Sequence, residues 1–316
     1  VYTSRVLSPR KIILDCDPGH DDAIAMMLAL ASPELSVLGV TTVYGNVGVD
    51  KTTRNALVVR EVLQATVPVY RGADRPLVRD RISAEAVHGE SGLDGPHLPE
   101  PTRSEEEFHA VRFIVDTVMA NPGEVTLVPT GSLTNVALAL RLEPRLAENV
   151  RGIVLMGGSV DLGNWTPAAE FNILCDPEAA RIVFESGVKL TMFGLNATHQ
   201  TPASPERVAR LRALGTTVGA FTADLLDFFR GHHEERYGWN GAPIHDACVV
   251  AYLVRPDLFE MKSMYVEIDT TNGPSAGRTV CDFWRVTGKA PNADVAMNID
   301  VNGFYDLLVE RVGTYA

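Results

Sequence analysis

The stretch Lys11–Leu30, KIILDCDPGHDDAIAMMLAL, sets four carboxylates (Asp15, Asp17, Asp21 and Asp22) between an apolar run of strand character and an apolar run of helix character. In an extended strand alternate side chains share a face, so Asp15 and Asp17 point the same way where the strand ends. Pro18-Gly19 then turns the chain into a helix that opens with Asp21 and Asp22. A helix amino terminus stabilises one carboxylate by about 0.3–1 kcal/mol and does not absorb four. Like charges at this density raise one another's pKa unless a cation compensates them, which makes a bound metal the economical explanation. The donors are carboxylate oxygens, which favour Ca2+ or Mg2+ over Zn2+. The bland reading is an Asp N-cap with a few solvated acids, and DxDPGxDD alone does not decide between the two.

The surroundings of this stretch read as alternating strands and helices. KIILD, LSVLGVTTVYGN, VPVYRG, EVTLVPTG, GIVLMGG and VKLTMFGLN have strand composition, and most are apolar continuously rather than alternately. Strands of that kind are covered on both faces. Helical spacing falls at 22–31, 51–64, 105–120, 133–142, 177–186, 205–214 and 217–236. The predicted fold is therefore α/β, an open, mostly parallel, Rossmann-like sheet with helices on both faces. A small antiparallel addition near the C-terminus is expected as a hairpin around Asn272-Gly273. Residues 1–10 read as an N-terminal extension and 11–316 as a single catalytic domain. The segment 71–107, rich in Pro, Gly and charge, is either a functional loop or a plain excursion.

Bulk properties exclude several classes of function. With 316 residues, 46% hydrophobic and 22% charged, the chain is an ordinary globular protein. A formal net charge of -12 repels nucleic-acid backbones and anionic lipid, so neither a nucleic-acid polymer nor a membrane is expected as partner. Cys16, Cys175, Cys248 and Cys281 form no CxxC or Cys/His pattern, which suits reduced thiols in a cytoplasmic protein. The longest apolar run, Ala23–Ala31, is too short to span a bilayer, and the first residues lack the apolar core of a secretory signal. The chain begins with Val rather than Met, so its natural start is not read from this sequence.

In open parallel sheets ligands bind beyond the carboxyl ends of the strands. Other polar clusters fall at that edge: Asn46 ends TTVYGN, Thr130 ends LVPTG, Met156–Gly158 ends a further strand, and His245-Asp246-Ala247 precedes an apolar run. Together DCDPGHDDA, YGN, PTGSLTN, VLMGG, NWTPAAEFNILCDPEAA and HDA resemble the calcium-dependent nucleoside hydrolases, the inosine-uridine preferring ribohydrolase family. HGESGLDGP at His88–Pro96 resembles the branch that prefers pyrimidine ribonucleosides.

That resemblance implies hydrolysis of the N-glycosidic bond of a ribonucleoside to ribose and free base, in nucleoside salvage, by a homotetramer or homodimer. It implies Ca2+ held by Asp17, Asp22, the Thr130 carbonyl and Asp246, with the ion's remaining positions among about six to eight left for water and the ribose diol. It gives Asp21 the 2′-hydroxyl and Asn172 the 2′/3′ edge. Asn164 and Glu170 would take the 5′-hydroxyl, and Asn46 the water or the ribose. Asp15 would support the metal shell from behind. Asp17 would act as general base on water, and His245 or His88 would attend the leaving base. His233 and Tyr237 would line the base side. In the pyrimidine branch a glutamine is expected one turn before the tyrosine, where this chain has His233, which leaves broad inosine-uridine specificity open. His20 is given no catalytic role.

Each residue also has a duller reading. Asn46 ends a strand in a turn, and Thr130 supplies a buried hydroxyl. Asn164, Glu170 and Asn172 are loop and cap residues before the helix at Asp176-Pro177, and His245 is a satisfied core histidine. Phe228 and Phe229 read as core rather than ligand stack. A rival enzyme, a haloacid-dehalogenase-like phosphatase, shares the DCD after an apolar strand. Pro18 breaks its motif, and no Lys or Arg lies in the polar clusters to receive a phosphate. A non-catalytic nucleoside sensor is the remaining alternative.

Overall fold

The structure, a computed structural model, describes residues 8–315. Residues 1–7 of the expected extension lie outside the described residues, and Arg10 already belongs to the first strand. The strands are β1 (Arg10–Cys16), β2 (Leu35–Thr42), β3 (Val69–Arg71), β4 (Thr126–Pro129), β5 (Gly152–Met156), β6 (Leu190–Phe193), β7 (Pro202–Ala203), β8 (Ala242–Pro243), β9 (Phe259–Met264), β10 (Val266–Ile268), β11 (Thr279–Cys281) and β12 (Ala293–Ile299). Eight of them join in the order β3-β2-β1-β4-β5-β6-β12-β9. Neighbours are parallel except β9, which runs antiparallel to β12.

Coverage on both faces explains the unbroken apolar runs. Ile12 and Leu14 of β1 join a core built with helices His20–Ala31, Ala247–Val254 and Val301–Val312. Ile13, between them, joins a separate core with helices Ala110–Ala120, Thr134–Leu142 and Pro177–Phe184. From β1 the chain moves one way to β2 and β3 and then returns to β4 on the other side. Such a reversal leaves a crevice at the strands' carboxyl ends. Asp15 is the hinge of the register, paired with Thr41 on one side and Pro129 on the other. The residues that follow, Asp17 after β1 and Thr130 after β4, are thereby delivered to one place.

Three expectations change. The helix expected over 105–120 begins at Ala110, because His109 caps it, its Nδ1 accepting from the Val111 amide at 3.2 Å. Glu106 instead donates its amide to the Val69 carbonyl at 2.8 Å. The C-terminal hairpin exists as β10 and β11, but Ile268 pairs with Thr279, so Asn272-Gly273 lies inside a long loop rather than forming its turn. Asp269 organises that loop, its carboxylate accepting from the Thr271 amide at 2.8 Å and the Ser275 hydroxyl at 2.6 Å. Finally β9 and β12 extend the main sheet, which the sequence pattern did not disclose.

The segment 71–107 is irregular apart from the short helix Glu85–His88. Among the described residues no helix is long and apolar enough to cross a membrane. The four cysteines are free thiols, three of them buried.

Candidate active site

Asp17 follows β1 into the crevice and is buried. Its Oδ2 accepts from the Asn46 amide at 2.6 Å, and its main-chain carbonyl accepts from Asn46 Nδ2 at 3.0 Å. Oδ1 is buried without a hydrogen-bond partner among the described residues. Gly45 makes the approach possible, since a Cβ there would lie 2.0 Å from Oδ2.

Asp22 stands in the first turn of helix His20–Ala31. Its Oδ2 accepts from the Gly19 amide and from Asn46 Nδ2, both at 3.1 Å, and its Oδ1 accepts from the Thr130 hydroxyl at 2.8 Å. Asp246, at the start of helix Ala247–Val254, comes in from the far end of the chain. Asp21, Asp22 and Asp246 each offer an oxygen within 4.8 Å of the others. Among the described residues this trio meets that spacing, and Asp17, expected as a ligand with Asp22 and Asp246, is close enough to raise the pKa of Asp246 and to be raised by Asp22. The Thr130 carbonyl, expected to face a metal, accepts from Asn172 Nδ2 at 2.7 Å. Asp15 lies behind, its Oδ1 accepting from the Thr41 hydroxyl at 2.6 Å and Asn135 Nδ2 at 2.8 Å, while Oδ2 is buried and unpartnered.

Electrostatics show the strain of the arrangement. Burial, and then Asp22, push the Asp21 carboxyl up to about 7. Burial raises Asp22 and Asp15 to about 6. Asp17 and Asp246 are driven well above the carboxylate range by burial and by their acidic neighbours. Buried anions without a countercharge are costly.

The cleft at this cluster is lined by Asp21, Asn46, Thr130, Asn172 and Asp246. Asn164 and the buried Glu170 also line it and keep structural duties as well. Asn164 Oδ1 accepts from the Phe171 amide at 3.0 Å; Glu170 caps helix Phe171–Cys175 by accepting from the amides of Asn172 and Ile173, and it also accepts from the Gly158 amide after β5. Burial raises Glu170 to about 7.

The cleft is also lined by His88, Phe229, His233, Tyr237 and His245. His245 pairs its Nδ1 with the Thr198 hydroxyl at 2.7 Å, and burial lowers its pKa strongly. His233, buried in helix Thr217–Tyr237, donates Nδ1–H to the Phe229 carbonyl at 3.0 Å, and burial brings it down to about 4. Neither Phe228 nor Phe229 is simply core. Phe228 is half exposed, Phe229 faces the cleft, and both stack on His20 at 5.3 Å between ring centroids. Trp165 and Arg236 also line the cleft, and no sequence pattern singled them out.

A buried cluster of carboxylates in a cleft of polar, histidine and aromatic side chains, set at the reversal point of a parallel sheet, offers the donors for a hard cation and the acids of a hydrolase. Residues 12–306 match the inosine-uridine preferring nucleoside hydrolase family, and the chain belongs to it. It is a ribonucleoside N-ribohydrolase, a glycosidase, and the phosphatase reading falls. The sequence is 49% identical over 309 residues to the pyrimidine-specific ribonucleoside hydrolase RihB of Escherichia coli (strain SMS-3-5 / SECEC), covering 98% of this chain and 99% of that protein. Among solved structures, the purine-preferring ribonucleoside hydrolase from Gardnerella vaginalis superposes with a TM-score of 0.91 at 35% identity, over 96% of this chain and 98% of that one. The plant nucleoside hydrolase PpNRh1 gives a TM-score of 0.89 at 34% identity, over 96% and 99%.

Proposed function

We propose that the protein cleaves pyrimidine ribonucleosides, uridine and cytidine, to ribose and free base, with Ca2+ held at Asp17, Asp22, the Thr130 carbonyl and Asp246. The observation that carries the metal is the donor set. Carboxylate oxygens converge in a buried floor, Asp17 Oδ1 lacks a partner there, and the cluster's acids raise one another without a cationic side chain among the causes. Hard oxygen donors of this kind fit a hard divalent ion. When bound, the ion supplies a positive field that offsets the carboxylates and makes water easier to deprotonate.

The chain's own residues do the rest. Cleaving an N-glycosidic bond builds positive charge at C1′, which the ionised carboxylates beneath the ribose stabilise. Asp17 takes the proton from the attacking water as general base. Asp21 accepts from the 2′-hydroxyl, while Asn172 holds the 2′/3′ edge and Asn46 the water or the ribose. Asn164 and Glu170 bind the 5′-hydroxyl. His245 contacts the departing base, with His88, His233 and Tyr237 completing that wall.

Pyrimidine preference draws support from the full-length 49% identity to RihB, against 35% to the purine-preferring structure. Broad inosine-uridine specificity is the second reading, favoured by His233 at the expected glutamine position. Family resemblance supports a homotetramer or homodimer, and free thiols support a cytoplasmic setting. A reducing-sugar assay on uridine, cytidine, inosine and adenosine tests the proposal. Uridine and cytidine should be hydrolysed at least about tenfold more efficiently than the purines. Activity should vanish with a chelator and return with Ca2+. Equal rates across the four overturn the preference, and full activity in chelator overturns the metal.

A further inference from the structure

His20 sits inside the acid motif, yet its ring points away from the acids. It is fully buried, its ring centroid 5.2 Å from that of His88 and 5.3 Å from those of Phe228 and Phe229, and His88 and Phe229 are themselves 5.1 Å apart, so the rings form one cluster. Its Nε2 lies 2.8 Å from the carbonyl oxygen of Asp94, and its Nδ1 lies 3.0 Å from His88 Nδ1. His88 is buried and lines the cleft, and no protein atom among the described residues bonds its Nε2.

These contacts order the protons. A carbonyl oxygen only accepts, so the 2.8 Å contact requires hydrogen on His20 Nε2. A neutral His20 then has a bare Nδ1, and the 3.0 Å contact requires hydrogen on His88 Nδ1. The His20 amide N–H lies 3.4 Å from His88 Nδ1 and would favour a lone pair there. That arrangement would move a hydrogen to His20 Nδ1 and leave bare Nε2 facing the Asp94 carbonyl, two lone pairs in repulsion. The shorter contact decides. A doubly protonated His20 would satisfy every contact, but it would place a cation with no exposed surface against a cluster of neutral rings, with no carboxylate bonded to it. Gly19 makes room for the pair, since a Cβ there would stand 2.7 Å from His88 Nδ1.

The geometry points to His20 as a positioning residue that fixes His88 in its Nδ1–H tautomer, so that His88 presents an Nε2 lone pair to the cleft. The relay runs from the Asp94 carbonyl through His20 to His88 and joins the loop that holds Asp94 to the motif that holds the acids. His88 therefore meets the substrate as a hydrogen-bond acceptor and takes a donor group of the nucleoside, an N–H of the base or a ribose hydroxyl. It is not set up to hand a proton to the leaving base. His233 is fixed in the same sense by the Phe229 carbonyl, so two acceptors face the cleft from that wall.

The choice of substrate donor rests on the nucleoside reading of the cleft; the tautomer does not. The test is imidazole nitrogen NMR on the full-length protein loaded with Ca2+ and free of substrate, in the parent and in His20→Phe and His20→Asn. The parent should show a pyridine-like Nε2 on His88. His20→Phe keeps the stack but removes the acceptor and should shift His88 toward the Nε2–H form, with kcat/KM on uridine about tenfold lower. His20→Asn restores an acceptor near the position of Nδ1 and should recover the parent tautomer and most of the lost activity. An Nε2–H His88 in the parent, or an unchanged tautomer in His20→Phe, overturns the assignment. Because the spectra contain no substrate, a protein inactive on uridine would count against the proposed function and not against the relay.

Discussion

A Cβ on Gly131 would stand 2.4 Å from Oδ1 of Asp17, so the glycine after Thr130 is the gap into which that unpartnered oxygen fits. The Gly131 backbone is not in the left-handed region, and alanine there is tolerated by the chain but not by the carboxylate. Gly131→Ala should displace Asp17 and lower kcat/KM on uridine by about 100-fold. Asp17→Ala should cost about 1,000-fold or more and weaken calcium retention measured by elemental analysis. Parental kinetics and calcium content in Gly131→Ala would show that the gap serves nothing.

Calcium should stabilise the protein more at pH 8 than at pH 5. In the metal-free protein Asp21 and Asp22 titrate near 7 and 6, above their unfolded values, so the fold holds protons that the unfolded chain has released. Metal-free stability therefore falls as pH rises from about 4 through 7, where the buried carboxylates ionise. A cation reverses that penalty and competes with protons for the same oxygens. Differential scanning fluorimetry at a series of pH values, with and without Ca2+, should show a Tm increment that grows across this window. A flat increment would count against the cluster as the binding site.

Uridine should be preferred to 2′-deoxyuridine by about 100-fold or more in kcat/KM, because the missing hydroxyl leaves buried polar groups at Asp21 and Asn172 without a partner. Steady-state kinetics on the two substrates decide it. Comparable values would remove Asp21 from ribose recognition.

His233 makes the fold acid-sensitive. Its folded pKa is depressed to about 4 from an ordinary 6.5, so its contribution is present above 6.5 and is lost as pH falls through about 4. The ceiling on that loss is about 3 kcal/mol. Urea unfolding of the parent and His233→Gln at pH 7 and pH 4.5 should show a stability difference that moves in the variant's favour at the lower pH. An identical pH dependence in the two proteins would mean that His233 is not buried as neutral imidazole.

The strands of the parallel sheet were legible because coverage on both faces leaves an unbroken apolar signature, and the acid motif because so much charge after a strand is unusual wherever it sits. β9 and β12 were not, since the sequence around them reads equally well as a local hairpin. Gly45 and Gly131 carry no local mark. Neither has a positive φ, and their reason is a carboxylate brought from Asp17. Asn135 was visible as part of PTGSLTN, but its work is a bridge from Asp15 Oδ1 to the Thr42 carbonyl, across 120 residues on one side and 93 on the other. Nothing near His20 in the sequence marks its role, because its partners, Asp94 and His88, lie in the irregular segment whose path no periodicity announces.

Helix Thr217–Tyr237 seals Phe221, Leu225 and Leu226 into the core and only in its last turns, before Gly238, brings His233 and Tyr237 to the cleft. Under the proposed function, taste in nucleobases is thus written on a removable fringe, while bond cleavage is anchored in the sheet. A substitution confined to those last turns would then change which base is accepted and leave the ribose-releasing acids in place.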